Sequence, residues 1–211
     1  AQYDGGIRQV DDELRSWAEE WTQTANFPDT LLIITSDHGE GLAQRRKRYS
    51  GHGDTFEEGL HVPLLIRFPD RLNANTRVPE PVSQVDLLPT LLDYLDHSPT
   101  DHLPGYSLLQ GRPQDAILIA EQQHMEVIYR WPPKLVRKRG ADDDNGLLTN
   151  LAEDPKEAHS LSAARNGPDF RDIADSLRAQ AAAEMSLWQT PELTTHPTEA
   201  PLSPEQLRAL E

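Results

Sequence analysis

The sequence predicts an α/β protein, with helices around a mostly parallel sheet, followed by a small antiparallel sheet with a helix packed on it. Three observations predict it. Two short apolar runs, residues 30–35 and 62–68, lack polar alternation, as strands buried on both faces of a helix-covered sheet do. Helical patterns flank both runs. After residue 113 the pattern changes to several short strands separated by turn signals, and then to a helical stripe.

The first element is an amphipathic helix. Ile7, Val10, Leu14, Trp17 and Trp21 recur at three- and four-residue steps and share one face. Asn26-Phe27-Pro28-Asp29 ends it, and Thr30-Leu31-Leu32-Ile33-Ile34-Thr35 forms the first strand. A polar stretch dotted with Gly39, Gly41, Gly51 and Gly53 leads to the second strand. Asp86 is placed as the N-cap of a helix through Leu95, with Pro89 in the first turn, where a missing N–H costs nothing. Pro99, Pro104 and Pro113, with Gly105 and Gly111, mark a boundary.

Beyond that boundary, residues 116–121, 124–130, 134–139 and 146–151 read as four strands. Trp131-Pro132-Pro133 and Asp142-Asp143-Asp144-Asn145-Gly146 supply turns. Phe170, Ile173, Leu177, Ala181 and Met185 form a helical stripe opened by Pro168. The chain turns Pro/Thr-rich after Trp188, a linker composition. A short capped helix is expected over residues 203–210, with Ser203 as N-cap, Pro204 at N1 and Gln206 at N3. Three regions follow: 1–112, 113–188 and 189–211.

Composition narrows the function. With 35 acidic and 20 basic residues the formal net charge is −15, so nothing is basic enough to neutralise nucleic-acid phosphates. The short basic cluster Arg45-Arg46-Lys47-Arg48 reads as a solvated loop. No apolar run approaches the length of a membrane span. The chain has no cysteine, which excludes disulfides, thiolate metal ligands and a cysteine nucleophile within these residues.

Chemistry is expected directly after the first strand, where Asp37-His38-Gly39-Glu40 stands. Ligands in open α/β sheets bind beyond the carboxyl ends of strands. A carboxylate and an imidazole can share a metal ion, and Gly39 permits a sharp turn. On residue types alone, a capped turn is the usual explanation of such a pair.

The wider string is more specific. Thr35-Ser36-Asp37-His38-Gly39-Glu40-Gly41-Leu42, then Gly51-His52-Gly53, then Thr55-Phe56-Glu57-Glu58-Gly59-Leu60-His61-Val62-Pro63-Leu64-Leu65-Ile66 resembles the C-terminal half of a sulfatase catalytic domain. Tyr3-Asp4 with Ile7, Val10 and Asp11 resembles the helix before that strand in the family. Val85-Asp86-Leu87-Leu88-Pro89-Thr90-Leu91-Leu92 resembles the helix that follows. Gly105-Tyr106-Ser107-Leu108-Leu109 and Asp154-Pro155-Lys156-Glu157 resemble the entry to, and closing turn of, its C-terminal subdomain. The motifs fall in order across nearly all of residues 1–186. The resemblance implies an alkaline-phosphatase-like sandwich.

It also implies roles. Asp37 and His38 match two metal ligands, and His52 matches a position that contacts the transferred group or the leaving oxygen. The implied ion is divalent, calcium first, with manganese, magnesium or zinc as alternatives; the imidazole of His38 shifts preference toward manganese or zinc. Glu57 and Glu58 are expected to fix the loop, and His61, where the family has arginine, is given no chemistry. The implied substrate is a small-molecule or carbohydrate sulfate ester, and the implied location is periplasmic or otherwise extracytoplasmic.

A sulfatase needs a Cys/Ser-x-Pro-x-Arg segment whose first residue becomes formylglycine, and an N-terminal Asp pair for the metal. The sequence contains no such pentapeptide. The expectation is therefore a C-terminal portion that is inactive alone, with formylglycine upstream. The alternatives are a phosphonate or phosphate ester hydrolase of the same superfamily, and a non-catalytic binding module.

Overall fold

A computed structural model describes residues 2–42, 50–51, 55–69, 74–97, 103–122, 124–140, 146–159 and 161–188, for residues 2, 50, 51 and 161–169 the backbone alone. His52, the basic cluster and the 189–211 segment with its expected helix lie outside the described residues. The chain divides into two compact units, Ala1–Glu80 and Pro81–Glu211. Among the described residues no helix is long and apolar enough to cross a membrane.

In the first unit, helix α1 spans Gln2–Trp21. Its predicted stripe is a true helical face, but Ile7, Val10, Leu14 and Trp17 on it are exposed. Only the C-terminal end of that stripe is packed. Trp17 stacks on Trp21 at 5.1 Å, and Trp21 meets Phe27 edge-on at 4.7 Å. The Arg67 guanidinium lies 4.1 Å from the Phe27 ring centroid and 5.6 Å from that of Trp21. This cation–π contact ties the turn after α1 to the second long strand of the unit.

Strand β1 (Leu32–Thr35) pairs antiparallel with strand β4 (Leu64–Arg67), Thr35 opposite Leu64 and Leu32 opposite Arg67. Each strand has one neighbour among the described residues and is mostly half-buried, so the two-sided burial suggested by an uninterrupted apolar run is not reached within this pair. Between them lie a two-residue pair, β2 (Gly41–Leu42) with β3 (Ser50–Gly51), and the one-turn helix α2 (Glu57–Leu60). The register puts the exit of β1 and the entry of β4 at one edge, so the polar turn after Thr35 starts beside the segment that follows α2.

The second unit opens with a 3₁₀ turn, Gln84–Asp86, that runs into helix α3 (Leu87–Tyr94). Asp86 stands at the N-cap position of α3, as the sequence expects, but its side chain is used elsewhere. Ser83 and Asp86 form a reciprocal capping box, Asp86 accepting from the Ser83 N–H at 2.8 Å, and the Asp86 side chain makes no cap bond to α3. Fully buried, Asp86 also accepts from the Tyr106 N–H at 2.9 Å and pairs with Arg112, which donates to the Ile117 carbonyl at 2.8 Å. One carboxylate thus fastens the 105–112 segment along α3. Gly105, at φ +91°, is required there, because a Cβ would stand 2.5 Å from the Val85 carbonyl oxygen.

Five strands follow: β5 (Leu118–Gln122), β6 (Met125–Tyr129), β7 (Pro133–Lys138), β8 (Leu147–Asn150) and β9 (Leu161–Ser162). Each pairs antiparallel with the next. The first four match the sequence expectation, and β9 is additional. Helix α4 spans Ala163–Trp188, so it begins five residues before Pro168 rather than at it. Phe170, Ala174, Leu177 and Ala181 of α4 pack on Ile117, Ile128, Leu135 and Leu148, forming the core. Lys134 is fully buried, its Nζ 2.8 Å from Glu157.

Tyr106 approaches Glu184 of α4, with its hydroxyl 3.5 Å from the carboxylate. Burial first, then the Glu184 charge, push its phenol above the ordinary value of 10.0, against the pull of Arg112. A raised folded-state pKa stabilises the fold below the unfolded value and is lost as pH rises beyond it. Tyr106 is expected to ionise late in an ultraviolet difference titration, and stability should fall above pH 10. Tyr106→Phe should remove the late step; an unchanged titration would contradict this placement.

Candidate functional site

The site is built on the turn that leaves β1. Its backbone is folded by its own polar groups: Ser36 Oγ donates to the His38 carbonyl at 2.7 Å, and the His38 N–H donates to Asp37 Oδ1 at 2.9 Å. Such short side-chain-to-backbone bonds let Ser and Asp define a turn. His38 Nδ1 lies 2.9 Å from the Gly39 carbonyl, which orients the ring. His38 Nε2 then stands 3.7 Å from Asp37 Oδ2, with the side chains 47% and 85% exposed respectively.

Asp37 is held as a carboxylate. The His38 backbone N–H, then the His38 ring charge, keep its pKa below the ordinary range. An ionised carboxylate oxygen and an imidazole nitrogen about 4 Å apart are spaced as two ligands of one ion can be, with each at roughly 2.0–2.5 Å from it. The pair therefore fits a divalent ion. It supplies part of a site only: among the described residues no group of three or more His, Asp or Glu side chains is arranged to hold a metal.

Gly39 has a different reason from the one the sequence suggested. It is absent from the positive-φ glycines, so the turn does not depend on its backbone freedom. What matters is close approach. The Gly39 N–H donates to the Gly59 carbonyl at 2.9 Å, and a Cβ on Gly39 would lie 2.0 Å from the Glu58 carbonyl oxygen. The Asp37-His38 turn is thereby pressed against the main chain of α2. Sequence reasoning gave Glu57 and Glu58 a loop-fixing role; the contact to Gly39 comes from the Glu58-Gly59 backbone. The spaced glycines Gly39 and Gly59 were the available signal. His61 is exposed at the end of α2 and donates its N–H to the Glu57 carbonyl at 2.8 Å.

Of the three sequence-predicted site residues, Asp37 and His38 stand together, and His52 falls outside the described residues.

Comparison with known proteins gives the family. The family model described as Sulfatase matches residues 1–97. Arylsulfatase K of Mus musculus is 44% identical over 80 residues, covering 38% of this chain and 14% of that protein. The multifunctional alkaline phosphatase superfamily protein PehA of Trinickia caryophylli is 30% identical over 166 residues, covering 75% of this chain and 32% of that protein. A solved structure of BT4656 in complex with its substrate D-glucosamine-2-N,6-O-disulfate superimposes with a TM-score of 0.67 at 19% identity. That superposition covers 86% of this chain and 39% of that one. The chain thus spans less than half the length of each of these proteins. The fold, the Asp37-His38 turn and these matches agree: the chain belongs to the sulfatase family, with the alkaline-phosphatase-like fold.

Proposed function

We propose that these residues are part of a metal-dependent sulfuric ester hydrolase. They would contribute two metal ligands, Asp37 and His38, and a C-terminal subdomain, while the nucleophile is supplied by sequence outside them. The observation that carries the reading is the ionised Asp37 carboxylate held beside the His38 imidazole on a turn pinned to α2. When bound, a divalent ion supplies Lewis-acid polarisation of a sulfate oxygen. Calcium is the first choice, and the imidazole also suits manganese or zinc. The 211 residues alone would show no turnover, because they hold no Cys/Ser-x-Pro-x-Arg from which formylglycine could form. A periplasmic or other extracytoplasmic location goes with this reading.

His52 is proposed to donate to the sulfate or to the leaving oxygen. The substrate class is a sulfate ester, and a sulfated carbohydrate is favoured because a fold neighbour was solved with a disulfated glucosamine. PehA, named as multifunctional within the superfamily, supports phosphate or phosphonate esters as the second reading.

The test uses the intact enzyme that contains these residues, assayed on 4-nitrophenyl sulfate and 4-nitrophenyl phosphate. Preference for the sulfate supports the proposal, and preference for the phosphate selects the second reading. His52→Ala should lower kcat about a hundredfold, the scale of losing a general acid or an oxyanion donor. Bound metal should not change. Loss of metal would make His52 a ligand, and an unaffected kcat would make it an ordinary loop residue.

A further inference from the structure

The turn between β6 and β7 carries a large aromatic side chain that the core does not use. Trp131 is 54% exposed. Its backbone is nonetheless fixed: the Arg130 N–H donates to the Pro133 carbonyl and the Leu151 N–H to the Pro132 carbonyl, both at 3.0 Å. The Arg130 guanidinium is anchored on α4, with Nη1 at 3.1 Å from Ser176 Oγ and 3.2 Å from Gln180 Oε1. Trp131 is therefore displayed on a rigid support, so little conformational entropy is lost when something stacks on it.

Beside it lies an open depression of about 570 Å³, lined by Gln114, Asp115, Arg130, Trp131, Pro132 and Pro133. That size suits a small ligand or one unit of a larger one. Its openness suits an extended ligand lying across it.

We propose that this depression is a carbohydrate-binding subsite, with one sugar ring stacked on the Trp131 indole and its hydroxyls bonded to Asp115 and Gln114. A protein partner would want an apolar cluster at the centre of its interface. Here one aromatic is ringed by an amide, a carboxylate and a guanidinium, the groups that bond hydroxyls. Asp115 disfavours a sulfate group at this position, and Arg130 Nη1 is already committed to α4. The subsite therefore holds an unsulfated part of the ligand. The proposal rests on the reading that the intact enzyme acts on a sulfated carbohydrate, and it adds a sugar-binding place within the second unit.

The experiment is binding without turnover. The 211-residue chain is titrated with glucosamine-containing hexasaccharides, sulfated and chemically desulfated, by calorimetry and tryptophan fluorescence. Both probes should bind. Trp131→Ala should weaken binding at least tenfold and Asp115→Ala several-fold, while Trp131→Phe keeps part of the affinity. Thermal unfolding of the Trp131 variants should stay at the parent value, because the side chain is half in solvent.

Binding of neither probe, or of the sulfated probe only, would overturn the proposal. Equal affinity in Trp131→Ala would overturn it too. Each of these results is independent of whether the intact enzyme prefers sulfate or phosphate esters.

Discussion

Replacing Lys134 by methionine is expected to destabilise the chain by about 3–5 kcal/mol, the scale of removing one partner from a buried ion pair. Lys134 has no solvent exposure, and its Nζ meets Glu157 at 2.8 Å and the Tyr129 ring centroid at 5.4 Å. Without the ammonium, the Glu157 carboxylate stays in a nearly water-free position and loses its Lys134 partner. That loss is a large share of the ~5–15 kcal/mol that holds a typical domain. The double variant Lys134→Met with Glu157→Leu removes both charges and should recover most of the difference. Urea unfolding followed by tryptophan fluorescence measures both. A single-variant cost under about 1 kcal/mol would mean that water reaches the pair, as it does for surface ion pairs.

Gly39→Ala is expected to damage both the fold around the turn and the reaction of the intact enzyme. The new methyl would sit 2.0 Å from the Glu58 carbonyl oxygen and 3.3 Å from the Gly59 Cα. Both obstacles are main chain, so no rotamer change relieves the clash. The turn must withdraw from α2 and lose its 2.9 Å bond to the Gly59 carbonyl. Overpacking of this kind costs about 3 kcal/mol. Asp37 and His38 move with the turn, and a shift of about 1 Å at a reacting centre can cost a hundredfold in rate. We therefore expect kcat/KM on an aryl sulfate and metal content to fall together. Gly5→Ala in α1, where nothing lies within 4 Å, is the control and should be neutral or slightly stabilising. Unchanged rate and metal content in Gly39→Ala would show that the turn adapts.

Where local pattern decides structure, the sequence was legible. Strands β5 to β8 are short runs set off by turn signals such as Trp131-Pro132-Pro133, and Phe170, Leu177 and Ala181 repeat at helical spacing. All are recovered within a few residues. The Asp37-His38 pair was legible because the residues are adjacent, so no long-range geometry was needed to bring them together.

Features fixed by distant partners were not legible. The same helical cue that found the α4 stripe found the one on α1, yet the α4 stripe is buried and the α1 stripe is exposed. Periodicity reports a face, not what covers it. Asp86 reads as a helix cap from its neighbours, while its carboxylate is claimed by Tyr106 and Arg112, 20 and 26 residues away. Gly39 was found for a flexibility it does not use, because the backbone it must avoid lies about twenty residues further along.

The sheet of the second unit has a kinetic consequence. Its strand order is its chain order, every strand bonded to the one before, and α4 begins at the residue after β9. Such a meander closes only short loops, so each pairing step loses little chain entropy before the next contact forms. Assembly can proceed hairpin by hairpin as the chain emerges, with α4 arriving last to cover the apolar face. The vulnerable interval is the one between completion of β9 and docking of Phe170 and Leu177, when that face is still open to water and to other chains.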